Sequence, residues 1–219
     1  MRSLNSRPYR MTRRATLVDE TRQRITEAAA RLHTTVGPAN TSVASIAEEA
    51  GVTRLTVYRH FPDLEVLFQA CRAHWRAQNP PPDARAWPAT PDFEGRARRA
   101  LTELYAWYRE HAEELFPIYR DMTAMPPTAQ EAMRADNRRL GDLLVADAAP
   151  GGSAGRQLRA VAQHLLDYRT WRSLAVNQEL SDAEAVEIGV RLLTALAVPF
   201  RRDARHDSQP KPSSSRSRP

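Results

Sequence analysis

Apolar residues recur every three or four positions along most of the chain, which is the spacing of amphipathic helices. The alternating Val, Ile and Thr runs that predict strands are nearly absent. The pattern therefore predicts an all-α fold with an N-terminal helix-turn-helix domain at residues 19–78 and a C-terminal helical bundle at residues 93–200. Between them, the five prolines of residues 79–92 predict a Pro-rich linker.

Capping residues and helix stops divide the N-terminal domain into four predicted helices. The first spans residues 19–36, and the fourth follows Asp63. Between them lie two short helices, which begin on the hydroxyl residues Ser42 and Thr53 and are joined by a tight turn at Gly51. Two short helices joined in this way are typical of a helix-turn-helix.

The second of these short helices has two distinct faces. If Arg54 is placed at about 0° and each residue advances the helix by about 100°, Val57 and Phe61 lie near about 300° and 340°. Leu55 and Arg59 then lie near about 100° and 140° and point outward. The arrangement suits a helix in the major groove of DNA, and an ordinary solvated helical hairpin is the alternative.

The chemistry of the outward residues indicates what each would contact. Arg54 and Arg59 can bond guanine, Leu55 can pack on a thymine methyl group, and Tyr58 and His60 can donate to phosphates. Hydroxyl groups at the helix starts add further donors where the helix dipole favours an anion. The predicted DNA-binding residues are Ser42, Thr53, Arg54, Leu55, Thr56, Tyr58, Arg59 and His60.

The segment TSVASIAEEAGVTRLTVYRHFPDLEVLF, residues 41–68, resembles the helix-turn-helix of the TetR (tetracycline-repressor) family. The preceding helix, RQRITEAAARLHTTVG, is similar as well, so the resemblance covers about residues 20–70. It implies a dimeric, ligand-responsive transcriptional repressor that binds a palindromic operator in double-stranded DNA. This chain has Leu55 where the family often has a small residue, so we expect Leu55 to give it a base preference of its own. It also has Leu64 where the family often has a Lys that contacts phosphate.

Positive charge is concentrated at the two ends of the chain, although the net charge is only +6. Residues 1–18 contain five Arg and no acid, and residues 201–219 contain five Arg and one Lys against two Asp. We predict a basic flexible arm at residues 1–18 that contacts phosphates through Arg10, Arg13 and Arg14, and a disordered tail at residues 201–219. A solvated arm without a DNA role is the alternative.

The last two predicted helices, residues 154–178 and 182–199, carry apolar residues on two faces. A helix that is apolar on two sides must be buried on two sides, so we predict an intermolecular four-helix bundle in a homodimer. A larger core within one chain is the alternative. The predicted dimer-interface residues are Leu165, Val186, Val190, Leu192, Leu193 and Leu196.

The TetR resemblance implies a pocket for a small-molecule effector in the C-terminal domain. Aromatic and Met side chains with a few polar groups line many such pockets, so a hydrophobic or aromatic effector is expected. The alternative for these residues is an ordinary packed core. The alternative function is a DNA-binding regulator that is controlled by a protein partner or acts constitutively. Pro117 is predicted to interrupt the helix that carries the first of these residues. The predicted ligand-binding residues are Trp107, Tyr108, His111, Phe116, Tyr119, Met122, His164, Tyr168 and Trp171.

Several classes of protein are not indicated by the sequence. The one cysteine, Cys71, allows neither an internal disulfide nor a multi-cysteine metal site, and we predict an inert packed thiol. No Gly-rich phosphate loop, HExxH motif or nucleophile elbow predicts an enzyme, a cofactor or a metal. No apolar run predicts a membrane span or a secretory signal, so a cytoplasmic protein is expected.

Overall fold

The computed structural model describes the backbone of residues 7–197 and the side chains of residues 16–146 and 148–197. All regular secondary structure in this part of the chain is helical, which confirms the all-α prediction. The α-helices, in chain order, are α1 (Arg7–Thr35), α2 (Val43–Glu49), α3 (Arg54–His60), α4 (Leu64–Gln78), α5 (Phe93–Glu110), α6 (Ala112–Arg120), α7 (Pro127–Val145), α8 (Gly152–Leu165), α9 (Tyr168–Arg172) and α10 (Asp182–Ala197).

Helix α1 begins at Arg7, well before the predicted start at residue 19. Nothing between there and Gly37 stops a helix, because Pro8 lies in the first turn, where proline is tolerated. The backbone of residues 7–18 is therefore helical, and the described part of the predicted flexible arm is the first part of α1. Residues 1–6 of that arm and the predicted tail at 201–219 lie outside the described residues.

Helices α1–α4, which we call the N-terminal region, pack around a core of small aliphatic side chains and one phenylalanine. Val57 and Phe61 of α3 have no exposed surface, so the inward face predicted for this helix is confirmed. The buried residues of this core are Ile25, Ala28, Ala29, Ala30, Ile46, Ala47, Ala50, Val57, Phe61, Leu67 and Cys71.

Residues 79–197, which we call the C-terminal region, form a second core that is rich in aromatic side chains. The predicted linker belongs to it. A 3-10 helix at Ala84–Ala89 buries Trp87 completely, and the Trp87 indole donates to Glu103 Oε2 at 2.9 Å. The prolines follow the end of α4, and Trp87 anchors the segment after them to the core of the C-terminal region.

The apolar stripe of residues 97–115 is divided between α5 and α6. The division lies at His111, where a ψ of 21° leaves the helical range. Pro117 lies inside α6, so its predicted role as a helix break is wrong. A proline costs a helix one N–H donor, and α6 continues to Arg120 in spite of that loss.

The predicted continuous helix of residues 154–178 is also wrong, because α8 ends at Leu165 and α9 begins after Asp167. Carbonyl groups freed at such a break need partners when they are buried. Two tyrosines of α5 supply them: the Tyr105 hydroxyl donates to Leu165 O at 2.9 Å, and the Tyr108 hydroxyl donates to Leu166 O at 2.7 Å.

Helix α10 buries one of its two apolar faces within the chain. That face packs against α5 and α8, and Gly189 approaches Leu101 so closely that a Cβ atom would overlap the Leu101 side chain. The dimer prediction therefore has to be corrected for the four of its residues that lie in this core, because they are not available to a second chain. These residues are Leu165, Val186, Val190 and Leu193.

Candidate nucleic-acid interface and effector cavity

Local hydrogen bonds build the turn between α2 and α3. Ser42 caps α2 by accepting from Ser45 N at 3.0 Å, and Thr53 caps α3 by accepting from Thr56 N at 3.2 Å. Between the helices, Gly51 has a φ of +63°, which a residue with a side chain rarely adopts. These three residues together fix the direction in which α3 leaves the turn.

The outer face of α3 carries the side chains predicted to read DNA. Leu55 is 78% exposed and Tyr58 is 48% exposed, and Arg54 and Arg59 are exposed as well. Their exposed positions agree with the helix geometry, while contact with DNA stays a prediction.

The C-terminal end of α3 is held by a residue that the sequence patterns did not single out. The Arg22 guanidinium lies 3.9 Å from the centre of the Phe61 ring and donates to His60 O at 2.5 Å. A cation is favourable at this end of a helix dipole. Burial lowers the pKa of the His60 imidazole, as do the Arg59 and Arg22 charges, so the ring is neutral at pH 7 in the free chain.

The remaining predicted DNA-binding residues lie at helix starts or in the arm. Ser42 and Thr53 are exposed N-caps, and the Thr56 hydroxyl lies 2.9 Å from that of Thr53. The arm arginines belong to the helical backbone of α1, but their side chains lie outside the described residues. These arm residues are Arg10, Arg13 and Arg14.

A cavity of about 430 Å³ opens between α1 and α4 of the N-terminal region and α5, α6 and α7 of the C-terminal region. Its size falls within the roughly 300–1,000 Å³ of small-molecule pockets, and its walls are mainly apolar. The aromatic side chains that line it are Phe68, Trp75, Trp87, Trp107, Tyr108 and Tyr119.

Trp107, Tyr108 and Tyr119 are the predicted ligand-binding residues that line this cavity. Burial raises the pKa of the Tyr119 hydroxyl well above its usual range, and this group has no hydrogen-bond partner among the described residues. It is thus a protonated donor on the wall. The buried Trp107 Nε1 likewise has no partner in the described part of the chain.

The other predicted ligand-binding residues do not line the cavity. His164 is exposed on α8, and the helix break lies between it and the pair Tyr168 and Trp171. Those two aromatic residues are buried in the core behind the wall, with Tyr168 stacked on Tyr119 at a ring distance of 4.6 Å. A continuous helix would place these three residues on one face, and the break between α8 and α9 removes that arrangement.

His111, Phe116 and Met122 lie outside the wall as well. The His111 ring packs edge-on against Trp107 at 5.1 Å, one layer behind the cavity. Phe116 is partly exposed, with the Arg172 guanidinium 4.0 Å from its ring centre. Of these three residues only Phe116 lies in α6, since His111 precedes this helix and Met122 lies in the 3-10 helix that follows it.

The wall formed by the N-terminal region was not predicted. Phe68, Cys71 and Trp75 share one face of α4, and His33 of α1 stacks on Phe68 at 4.4 Å. The sequence contained a signal for this wall, because the apolar stripe of α4 continues to Trp75, which packs on the core of the C-terminal region. Burial lowers the pKa of His33 to about 4 and raises that of the Cys71 thiol to about 12, so both are neutral at pH 7.

Charged groups gather at one side of the cavity. Arg72 and Arg76, one turn apart on α4, both donate to Asp136 Oδ2 of α7, and the Arg76 distance is 2.7 Å. All three side chains are about one-third exposed. This cluster joins the N-terminal region to the C-terminal region across the cavity.

A second junction joins α6 to the end of α1. Arg120 Nη2 donates to Val36 O at 2.9 Å, and Ala39 N donates to Asp121 Oδ2 at 3.1 Å. The hydrogen bond from Arg120 lowers the pKa of the Asp121 carboxyl. Gly37 has a φ of +93°, and a Cβ atom at this position would overlap the Asp121 carboxylate.

The second apolar face of α10 points outward. Ile188 is 39% exposed, Leu192 is 49% exposed, and Leu196 is partly buried. Of the two faces considered for a dimer, this is the one that residues 16–197 leave partly uncovered. Contact with a second copy stays a prediction.

In the part of the chain that the structure describes, no group of three His, Cys, Asp or Glu could hold a metal ion. No helix in that part is long and apolar enough to cross a membrane.

Residues 25–71 match the family model described as bacterial regulatory proteins, tetR family. A search of curated proteins finds no match.

Proposed function

We propose that this chain, which belongs through residues 25–71 to the tetR family of bacterial regulatory proteins, is a dimeric repressor released from its operator by a small hydrophobic effector. That domain makes the chain a DNA-binding transcriptional regulator; the effector, the dimer and the direction of regulation are the proposal. One observation carries it. The cavity of about 430 Å³ is lined by the DNA-binding domain as well as by the C-terminal region, so an occupant would contact both.

DNA reading is proposed for the outer face of α3. Arg54 and Arg59 would bond guanine edges, Leu55 would pack on a thymine methyl group, and Tyr58 and His60 would donate to phosphates on either side. The exposure of these side chains and the rigid α2–α3 turn support this assignment. The arm at the start of α1 would add contacts that depend on charge alone.

Dimerisation is proposed through the outward face of α10. Ile188 and Leu192 are large apolar residues next to each other on this helix, and a two-fold axis across them would bury both. The symmetry of such a dimer would match a palindromic operator.

Release of DNA is proposed to follow from movement of α4 and α1. Each contributes to the cavity wall, and α4 follows directly after α3. The Arg120–Asp121 junction holds the other end of the N-terminal region, where α1 leads into α2. An occupant that displaces these helices would move α3, and DNA must then weaken effector binding to the same extent.

The proposal is tested by recovering the bound DNA and then releasing it. Genomic footprinting of the full chain supplies the operator, and fluorescence anisotropy measures its affinity and the affinity for random DNA. Arg59→Ala should weaken operator binding and relax one base position, while Tyr58→Phe should weaken binding to both DNAs. Arg134→Ala on α7, which pairs with Glu131, is the matched control.

A thermal-shift screen then separates the two modes of control. A small molecule that stabilises the chain and lowers operator affinity supports the effector model. If instead a protein partner displaces DNA while broad screening yields no such molecule, the chain is a regulator without a small-molecule effector. Equal loss of operator and random DNA in Arg59→Ala would contradict the base-reading role.

A further inference from the structure

We infer that the cavity takes an aromatic carboxylate, whose anionic group binds Arg72 and Arg76 in competition with Asp136. This inference rests on the proposed function, because it names the chemical class of the effector and the contact that the effector would break. The observations that carry it are the shape of the walls and the charge balance at one side of the cavity.

The walls favour a flat aromatic body. Trp75 and Trp107 meet edge to face with ring centres 5.8 Å apart, and Trp107 and Tyr108 are tilted at 5.6 Å. Rings arranged at such angles can receive another ring edge-on or offset-stacked. An aromatic occupant would therefore gain contact area that an aliphatic chain of equal volume does not.

The charged side of the cavity favours an anion. Arg72 and Arg76 share a single carboxylate, so one positive charge of the pair has no anionic counterpart there. A guanidinium has five N–H donors, and the two groups together offer far more than one carboxylate accepts. A ligand carboxylate that takes the place of Asp136 would find donors on both guanidinium groups and could bind in the planar, bidentate geometry that arginine prefers.

A cationic occupant finds no comparable place. Of the acids that line the cavity, Asp83 pairs with Arg85, and Asp136 with the two arginines of α4. The remaining acid, Glu114, accepts from the Trp75 indole at 2.8 Å. Each carboxylate is already engaged by the chain itself, and a cation would face an excess of guanidinium groups.

The same contact supplies a route to DNA release. Asp136 belongs to α7, and the two arginines belong to α4, so their ion pairs join the C-terminal region to the helix after α3. A carboxylate that takes the place of Asp136 replaces a bond between helices by a bond to the occupant. Helix α4 is then free to shift relative to α7, and α3 shifts with it.

Two pairs of probes that differ in charge but hardly in shape test the inference: 2-naphthoate with 2-naphthamide, and 4-biphenylcarboxylate with 4-biphenylcarboxamide. Trp75, Trp87 and Trp107 line the cavity, so quenching of tryptophan fluorescence in the full chain reports occupation. We expect at least one carboxylate to bind about tenfold tighter than its amide, which is the value of one charge-assisted contact.

Three variants assign that preference to the arginine pair. Arg72→Gln combined with Arg76→Gln should reduce the ratio to about one. Asp136→Asn removes the internal competitor, so it should tighten carboxylate binding and leave amide binding unchanged. Arg134→Gln on the same helix as Asp136 is the control and should keep the wild-type ratio, and circular dichroism checks that each variant is folded.

The inference is overturned if no carboxylate of the set quenches the tryptophans, if the amides bind as tightly, or if the preference survives in the double variant. Operator release separates this failure from failure of the proposed function. If neutral molecules bind the cavity and release DNA, the effector model stands and only the anionic class is wrong. If no small molecule releases DNA, the proposed function itself fails.

Discussion

The two regions of this molecule place their functional side chains on opposite sides of their cores. In the N-terminal region, small apolar residues close the core, and the candidate DNA contacts lie on the outer surface of α3. In the C-terminal region, large aromatic residues surround a cavity, and the candidate effector contacts point inward. Only α1 and α4 belong to both arrangements, because they form the closed core on one side and the cavity wall on the other.

This difference separates stability from function in one region and joins them in the other. A change on the outer face of α3 should alter DNA binding and leave the free energy of unfolding nearly unchanged. A change on the buried face of α3 should lower the free energy of unfolding. A change in the cavity wall should alter both effector binding and packing.

Phe61→Ala should cost about 3–5 kcal/mol of unfolding free energy, because it removes the largest side chain of a closed core. Leu55→Ala on the same helix should stay within about 0.5 kcal/mol, because that side chain is exposed. Urea unfolding of both variants measures the two values. Similar losses for the two would show that the outer and inner faces of α3 are not distinct.

Enlarging a small residue should have opposite results in the two regions. Ala47→Leu adds volume to the closed core and should cost up to about 3 kcal/mol by overpacking. Ala129→Leu on α7 extends into the cavity and should be neutral or stabilising by about 0.5–2 kcal/mol. Thermal unfolding compares them. A large loss in the α7 variant would mean that the cavity offers no room.

Lowering the pH should destabilise the N-terminal region through His33, which lies between α1 and α4. Burial lowers the pKa of this ring to about 4, so the unfolded chain, with a value near 6.5, binds the proton first. Stability is therefore complete above about pH 6.5 and falls as the pH drops toward 4. We expect a loss of about 2 kcal/mol between about pH 7 and 5.

The matched variant for this pH effect is His33→Phe, which keeps a ring against Phe68 but cannot titrate in this range. Unfolding free energies measured by urea at both pH values should be nearly equal for this variant. The same pH dependence in the variant and the wild type would assign the loss to other groups.

The smallest expected effect on folding belongs to the outer face of α10. Leu192→Glu should change the unfolding free energy of a monomer by no more than about 0.5 kcal/mol, because the residue is exposed. It should nevertheless convert a dimer to monomers in sedimentation. Val190→Glu buries a charge and should unfold the C-terminal region. A fully dimeric Leu192→Glu variant would contradict the proposed interface.

Sequence patterns were informative wherever the structure depends on neighbours in the chain. Hydroxyl caps at Ser42 and Thr53, a glycine in the turn and the helical period together predicted both faces of α3. Each of these features acts over four residues or fewer. The order of helices α1–α4 followed from them, apart from the start of α1, which has no apolar stripe to mark it.

The patterns failed where distant segments decide the outcome. At the break between α8 and α9, the hydroxyl groups of Tyr105 and Tyr108 on α5 donate hydrogen bonds to the carbonyl groups that the break leaves free. No signal in the neighbouring sequence indicates these two partners. This break moved His164 away from the predicted pocket. The cavity itself lies between α1, α4 and α7, whose proximity is a result of packing.

The sequence by itself determined the local architecture of the DNA-binding helices, because caps, turn residues and helical period act between near neighbours. It also showed that α10 is apolar on two sides. Only the tertiary structure decided which of those sides the chain covers, where the cavity lies and which charges face it. Those properties depend on contacts between residues far apart in the chain, such as that of Arg76 with Asp136, and helical periodicity carries no information about such pairs.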